Sequence, residues 1–513
     1  MTTVTRALMV QGTASHAGKS LIVAGLCRLF RQDGLGVVPF KSQNMALNAY
    51  VTRDGGEMGW AQAMQAEAAG VEPRVEMNPI LLKPQSEEGS QVVLLGKVLG
   101  TAGARDYFGM TERLWPTVAE SYERTAALAD LVLIEGAGNP AEPNLMDRDI
   151  ANMAVARLAR APVVLVGDID RGGVFGSLLG TLALLRPVDR RRVKGFILNK
   201  FRGDPALLAP AVEFLEKRTR RRVLGVVPML PRLHLPEEDS VALEEATSGR
   251  GADPTRVTIA VVRLPHIANF TDFAPLLLEP RARVVYARRP SDLADADLVI
   301  LPGTKDTIAD LRFLKAEGFD QALGDFLERG GAVGGICGGF QMLGRSVADP
   351  HGVESGGEEP GLGLLPVTTV LEPPKITRRV VARLLPGPWG EGPSQEGGVN
   401  VEWEAYEIHM GRTISVGMLV PLFAVRREGE GPLKETDGLI TRDGKVWGTY
   451  LHGCLDAPVV RERLLTWLAG LPLGRLPAPS RDYRQVREAA YDTLADALRR
   501  SLDLTAIRSL IGL

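Results

Sequence analysis

The chain has 513 residues, 45% hydrophobic and 24% charged, with a formal net charge of −2. Domains run roughly 100–200 residues, so this length calls for two or three cores and excludes a single one. The near-neutral charge gives no basis for a nucleic-acid or membrane-surface partner, and no apolar run approaches the ~18 residues of a membrane span.

At the N-terminus, MTTVTRALMVQG lacks a basic stretch followed by a long apolar core, so no signal peptide is expected. The segments ALMVQG, VVPFKS, LVLIEGAG, PVVLVGDID and KGFILNK then read as buried parallel strands. Each is short, rich in β-branched residues, and ends in polar residues or glycine. Helical patterns separate them; SLIVAGLCRLFRQDG is one, closing on Gly34. Strand–helix alternation predicts an α/β doubly wound sheet.

Between the first strand and that helix stands GTASHAGKS, Gly12 to Ser20. The usual phosphate loop is G-x-x-x-x-G-K-[ST]. Counted back from Gly18, the first glycine is due at Thr13 but falls at Gly12. The setting still suits a phosphate loop, because backbone N–H groups and a helix N-terminus would face the anion. Lys19 would reach the outer phosphates and Ser20 would ligate Mg²⁺; the bland alternative is a glycine-rich turn.

The longer loop resembles that of dethiobiotin synthetase and its relatives, GTDTxVGKT. That resemblance implies further roles. Gly12, Thr13, Gly18, Lys19 and Ser20 would hold ATP, and Lys41 would lie near the transferred phosphate. Glu57, followed by MGWAQ, and Glu135, in LIEGAG, would serve with Ser20 as ligands of Mg²⁺. Asn199, in ILNKFRGD, would recognise adenine. Carboxylates are apt metal ligands, and a lysine beside the transferred phosphate stabilises developing charge. For Glu57 an exposed helical glutamate is the competing reading; for Glu135 it is a surface carboxylate. In GDIDRGGVF, Asp168, Asp170 and Arg171 end a strand, where open α/β sheets bind ligands. Asp170 would orient substrate or metal, and Arg171 or Lys41 would pair with a substrate carboxylate. A turn with internal ion pairs is the alternative.

Residues 236–256 gain charge, Gly and Pro and read as a linker. A second α/β series follows in VTIAVVRLP, ARVVYA, DLVILPGTKD and GAVGGICGGFQMLG. HGVESGGEEPGLG and LLPGPWGEGPSQEGG read as surface loops, and from about Pro458 the pattern is helical to the end. The expected division is 1–235, a linker at 236–256, 257–460, and a helical segment at 461–513.

Of the three cysteines, Cys27, Cys337 and Cys454, none forms a C-x-x-C pair, which fits a reducing cytoplasm. Cys337 follows an apolar run, flanked by glycines and followed by helix-forming residues, the pattern of a nucleophile elbow. The Gly338 N–H and the turn around Gly303 would supply an oxyanion hole. A buried, inert cysteine is the alternative. A thiol needs a base; among six histidines, His452 in VWGTYLHGC is the candidate and His409 in AYEIHMGR its competitor.

This half resembles a class I glutamine amidotransferase domain of the Cys–His–Glu type. There G-x-C-x-G is followed by His-x-Glu; here Cys454 stands where that Glu would be. The imidazole would be oriented by another carboxylate, by a backbone carbonyl, or by no group. Cobyrinate-type amidotransferases resemble this sequence in the same loss. The whole chain resembles that family, in its cobyric acid synthase branch, through GTASHAGKS, FKSQNMALN, NPILLKPQ, EGAGNPAEPNL, GDIDRGGVF, NKFRGD, LPHIANFTDF, ICGGFQMLG, YEIHMGR and YLHG. The resemblance implies an ATP- and glutamine-dependent ligase with a corrinoid substrate. It would amidate the b, d, e and g carboxylates of adenosylcobyrinic acid a,c-diamide. It favours that branch over the a,c-diamide synthases, because KSQNMALN stands where those carry a K-x-G-P-D-F-I-D-type segment. A related amidotransferase acting on a cell-wall or other tetrapyrrole carboxylate, and a partitioning-type ATPase switch, are the other readings.

Overall fold

The computed structural model describes residues 5–85, 89–230, 233, 235, 256–390, 401–427, 430–470 and 480–513. Its chain divides into two compact units that do not follow sequence order. The first comprises Met1–Ala46, Glu57–Leu235 and Arg487–Leu513; the second, Leu47–Gly56 and Pro236–Val486.

The first unit is built on a six-stranded parallel sheet of β1 (Arg6–Gly12), β2 (Val37–Phe40), β3 (Leu131–Glu135), β4 (Val163–Asp168), β5 (Val193–Phe201) and β6 (Arg222–Pro228). Their order is β6-β5-β4-β1-β3-β2. The central strands are buried on both faces, which is why they lack polar alternation. β1 lies where the chain, having laid strands to one side, crosses to the other, the place where doubly wound sheets bind ligands. The helix after it, Lys19–Gln32, ends with Gly34 at φ 87°, a left-handed position suited to glycine.

Of the helical segment expected at 461–513, the part from Arg487 onward belongs to this unit and 461–486 to the second. Leu494 and Leu498, in the helix Tyr483–Ser501, pack against the helix that carries Gly25. A Cβ on Gly25 would come within 2.5 Å of Leu498, so glycine there permits the close approach. Arg28 adds ion pairs to Asp492 at 2.6 Å and Glu488 at 2.9 Å.

The second unit holds a ten-stranded mixed sheet. Its strands are β7 (Val257–Val262), β8 (Ala282–Ala287), β9 (Leu298–Leu301), β10 (Ala332–Ile336), β11 (Ile376–Leu384), β12 (Trp403–His409), β13 (Val420–Arg427), β14 (Glu435–Ile440), β15 (Val446–Thr449) and β16 (Leu451–His452). They run β8-β7-β9-β10-β15-β14-β13-β11-β12-β16. The first five are parallel and the rest antiparallel. Part of HGVESGGEEPGLG forms a short strand, Gly357–Pro360, instead of a plain loop. The linker reading at 236–256, save Arg256, and the end of LLPGPWGEGPSQEGG lie outside the described residues.

Leu498 is 1% exposed. Its replacement by alanine is expected to destabilise the first unit by about 2–5 kcal/mol. Hydrogen exchange should rise across Lys19–Gln32 and the first sheet, with β7 to β10 unchanged.

Candidate functional site

In the first unit, β1 delivers the chain into the glycine loop at the sheet's C-terminal edge. Thr13 N donates to Val166 O at 3.0 Å, tying the loop to β4. Within the loop the backbone is left-handed at His16 (φ 59°) and Gly18 (φ 92°). Lys19 folds back over Gly12, where a Cβ would lie 3.0 Å from its Nζ. Its ammonium donates to Ala14 O at 2.9 Å and Gly138 O at 3.3 Å. Asn199 braces the same loop: its Nδ2 donates to Ala17 O at 2.9 Å, and it fills the space a Cβ on Gly18 would need.

Glu135 ends β3 at 1% exposure, so it is no surface carboxylate. Its Oε1 accepts from Ser20 Oγ and from Lys41 Nζ, each at 2.9 Å. Its Oε2 accepts from Gln65 Nε2 at 2.5 Å, and Gln62 Nε2 lies 3.5 Å away. Burial by itself would raise this carboxyl; the Lys41 charge and hydrogen bond, with Lys19 and Gln65, outweigh it and hold the pKa below the ordinary value. Ser20, Lys41 and Glu135 thus meet at one point.

Glu57 is neither exposed nor helical. It lies in the strand Glu57–Gly59 at 1% exposure and pairs with Lys83 Nζ at 2.6 Å. At the end of β4, Asp168 accepts from Lys200 at 2.9 Å with Arg171 3.8 Å away, and Asp170 pairs with Arg202 at 2.8 Å. The turn therefore does carry internal ion pairs, while Arg171 remains largely exposed.

In the second unit, β10 runs into Cys337, whose backbone has φ 54° and ψ −113°. A non-glycine residue held there signals strain at a functional position. The neighbouring glycines are required by contact. A Cβ on Gly335 would lie 2.6 Å from Gly339 C, and one on Gly339 would lie 2.0 Å from Leu301 O. One on Gly338 would meet Thr304 at 2.5 Å. Gly303 sits beside both Cys337 and His452, as a Cβ placed there would lie 3.7 Å from Cys337 Cβ and 3.3 Å from His452 Cε1. The turn after β9 and the elbow after β10 therefore lie beside each other.

His452, fully buried, hydrogen-bonds through Nδ1 to Asp272 Oδ2 at 2.7 Å. Asp272 Oδ1 accepts from Gly453 N at 3.0 Å. Tyr406 stacks on the imidazole, with ring centres 5.1 Å apart and planes 15° apart. Burial alone would lower the imidazole pKa; the Asp272 charge and hydrogen bond, aided by Cys337, raise it to about 10. The imidazolium is thereby favoured beside the sulfur, and the thiolate is the nucleophilic form of cysteine.

Asp272 is the orienting carboxylate that the missing His-x-Glu left unassigned. It stands in LPHIANFTDF, 180 positions before His452, and no spacing rule reaches that far. His409 takes a different place: it stacks on Tyr450 with ring centres 3.7 Å apart, and burial pushes its pKa down to about 4. Cys454 is buried, and desolvation pushes its thiol far up, so it is an inert neighbour.

Two outcomes follow from these geometries. Lys41→Met should leave Glu135 as an under-compensated buried charge and cost about 3–5 kcal/mol. Adding Glu135→Gln should recover part of that loss, measured by urea denaturation in a double-mutant cycle. Asp272→Asn should reduce glutamate release from glutamine by about 10⁴-fold, the loss seen when the buried acid of such a triad becomes an amide. It should also drop the His452 pKa from about 10, followed by NMR titration.

The chain matches two family models, a CobQ/CobB/MinD/ParA nucleotide binding domain over residues 8–241 and a CobB/CobQ-like glutamine amidotransferase domain over residues 258–459. It is 49% identical over 516 residues to the cobyric acid synthase of Pelotomaculum thermopropionicum, covering 99% of this chain and 97% of that one. It is 49% identical over 523 residues to that of Sorangium cellulosum, covering 99% and 98%. Against that of Desulforudis audaxviator it is 50% identical over 513 residues, covering 99% of each. With its N-terminal phosphate-loop domain and its C-terminal glutamine amidotransferase domain, the chain is a glutamine-hydrolysing ligase and belongs to the cobyric acid synthase family.

Proposed function

We propose that the protein amidates the b, d, e and g side-chain carboxylates of adenosylcobyrinic acid a,c-diamide in cobalamin biosynthesis, using ATP and the nitrogen of glutamine. The observation that carries this reading is the meeting of Cys337, His452 and Asp272 at a strained elbow, on a chain that also gathers Lys19, Ser20, Lys41 and Glu135 at a phosphate loop.

In the second unit the Cys337 sulfur attacks the glutamine carboxamide carbon. The Gly338 N–H and the Gly303 turn stabilise the oxyanion. His452 gives its proton to the departing ammonia, leaving a thioester. Water, deprotonated by His452, then releases glutamate and frees the thiol. Asp272 and the Tyr406 ring hold the imidazole in plane throughout.

In the first unit a substrate carboxylate oxygen attacks the γ-phosphorus of ATP, ADP leaves, and an acyl phosphate forms. Ammonia attacks the acyl carbon and phosphate departs. Lys19 and Lys41 offset the charge that builds on the transferred group. Gly12, Thr13 and Gly18 give the loop its shape around the phosphates, and Asn199 faces the base. Arg171 meets a substrate carboxylate, and Asp170, paired with Arg202 at 2.8 Å, orients substrate or metal.

Ser20 Oγ and the Glu135 carboxylate are hard oxygen donors set 2.9 Å apart, and they fit Mg²⁺. Among the described residues no group of three or more His, Cys, Asp and Glu side chains gathers as a metal cage. Bound by Ser20 and Glu135, Mg²⁺ would neutralise phosphate charge. Glu57, which pairs with Lys83 at 2.6 Å, would be a further ligand of Mg²⁺. All three cysteines are free and buried, and among the described residues no helix is long and apolar enough to cross a membrane. A cytoplasmic setting is consistent with both.

The test is release of glutamate and phosphate by the purified protein with glutamine, ATP and Mg²⁺, with and without adenosylcobyrinic acid a,c-diamide. Corrin-dependent release of both is expected, with successive mass losses of about one dalton per OH→NH₂ exchange. Glutamate without corrin-dependent phosphate would mean another carboxylate acceptor. Cys337→Ala should lose the glutamine-dependent reaction and keep synthesis from ammonium; loss of both would sink the division of labour.

A further inference from the structure

Residues Leu47–Gly56 belong to the second unit, although the chain on either side of them belongs to the first. This short strap reaches the surroundings of the catalytic imidazole. Asn48, fully buried, accepts through Oδ1 from Phe270 N at 3.1 Å. Ala49 N donates to Asn269 Oδ1 at 3.0 Å. Asn269, 3% exposed and left-handed at φ 52°, places its Nδ2 3.4 Å from His452 Nε2. Asn269 directly precedes the short helix Phe270–Phe273, which carries Asp272.

The chemistry turns on which end of the Asn269 amide faces His452. An amide oxygen and nitrogen are sterically alike, and only partners decide between them. The Ala49 N–H can be satisfied by the oxygen alone, so the strap fixes the oxygen on its own side. The amino group is thereby turned to Nε2. An amino group cannot accept the Nε2 proton, so a protonated Nε2 is left to the sulfur and to departing ammonia, and only once Nε2 has lost its proton can the amino group donate to it. The reversed amide would present an acceptor and hold the proton.

We infer that Asn269 is a positioning residue for glutamine hydrolysis, and that the 47–56 strap sets it by pinning its amide so that the amino group faces His452 Nε2. In the chain the strap directly follows Lys41–Ala46. This rests on Cys337 and His452 hydrolysing glutamine.

Three variants test it through steady-state glutamate release, with ammonium-supported synthesis as the check on folding. Asn269→Asp and Asn269→Gly both tolerate a left-handed backbone. The aspartate keeps the shape and the Ala49 contact but turns an acceptor oxygen to Nε2. It should lower kcat about 10²-fold, the low end of what proton transfer contributes, with KM for glutamine within about twofold. The glycine removes the acceptor altogether and should lose less than about tenfold. A packing role predicts the opposite order, since aspartate is nearly isosteric with asparagine. Ala49→Pro removes the N–H at the first residue of a strand, a place proline tolerates. It should lower kcat in the parent but have no further effect in Asn269→Gly. Glycine falling as far as aspartate, or the proline effect persisting in the glycine background, overturns the inference. Absence of glutamate release in the unmutated protein would instead overturn the glutaminase reading itself.

Discussion

A single buried hydrogen bond organises the chemistry of the second unit. Asp272 holds His452 Nδ1 at 2.7 Å, and both groups are almost wholly out of water. Without the carboxylate, burial would strip the imidazole of its proton; with it, the imidazole stays charged beside Cys337. The other contacts serve that pair. Tyr406 lies flat on the ring, Gly453 N occupies the second carboxylate oxygen, and Asn269 stands at the far nitrogen. The glycine frame around Cys337 lets the strained elbow approach the pair, because Cβ atoms at Gly335, Gly338 or Gly339 would collide with backbone or Thr304.

The nucleotide unit applies the same physics with opposite sign. There the buried charge is Glu135, and Lys41 with nearby Lys19 supplies the compensation. Ser20 and Gln65 satisfy its remaining lone pairs. A buried carboxylate so compensated stays ionised. Glu57 shows the contrast: its charge is matched by Lys83 at 2.6 Å, an internal pair.

The strands ALMVQG, LVLIEGAG, PVVLVGDID and KGFILNK were legible because a parallel sheet covered on both faces writes itself as continuous apolar runs. The phosphate loop and the elbow were legible for a related reason. Each is a local turn between a strand and a helix, marked by closely spaced glycines, although Gly18, Gly338 and Gly339 answer to Asn199, Thr304 and Leu301 far along the chain. Lys41 and Glu135 could be named only through resemblance, since their meeting at 2.9 Å spans 94 positions. The C-terminal helix was visible as a helix, but its partner was not. Helical spacing shows that Leu494 and Leu498 need a surface, not that the surface is the helix of Gly25.

The sequence by itself determined the secondary structure around each active group, the kind of nucleophile, and the presence of a phosphate loop. These depend on local sterics and on strand burial, both written in neighbouring residues. Tertiary structure alone decided which carboxylate orients His452, which of His409 and His452 meets Cys337, and where Glu57 spends its charge. It also decided that residues 47–56 join the second unit. Those choices depend on groups brought together across as many as 222 positions. At such separations no periodicity survives, and only the folded chain sets the distances that electrostatics and hydrogen bonding require.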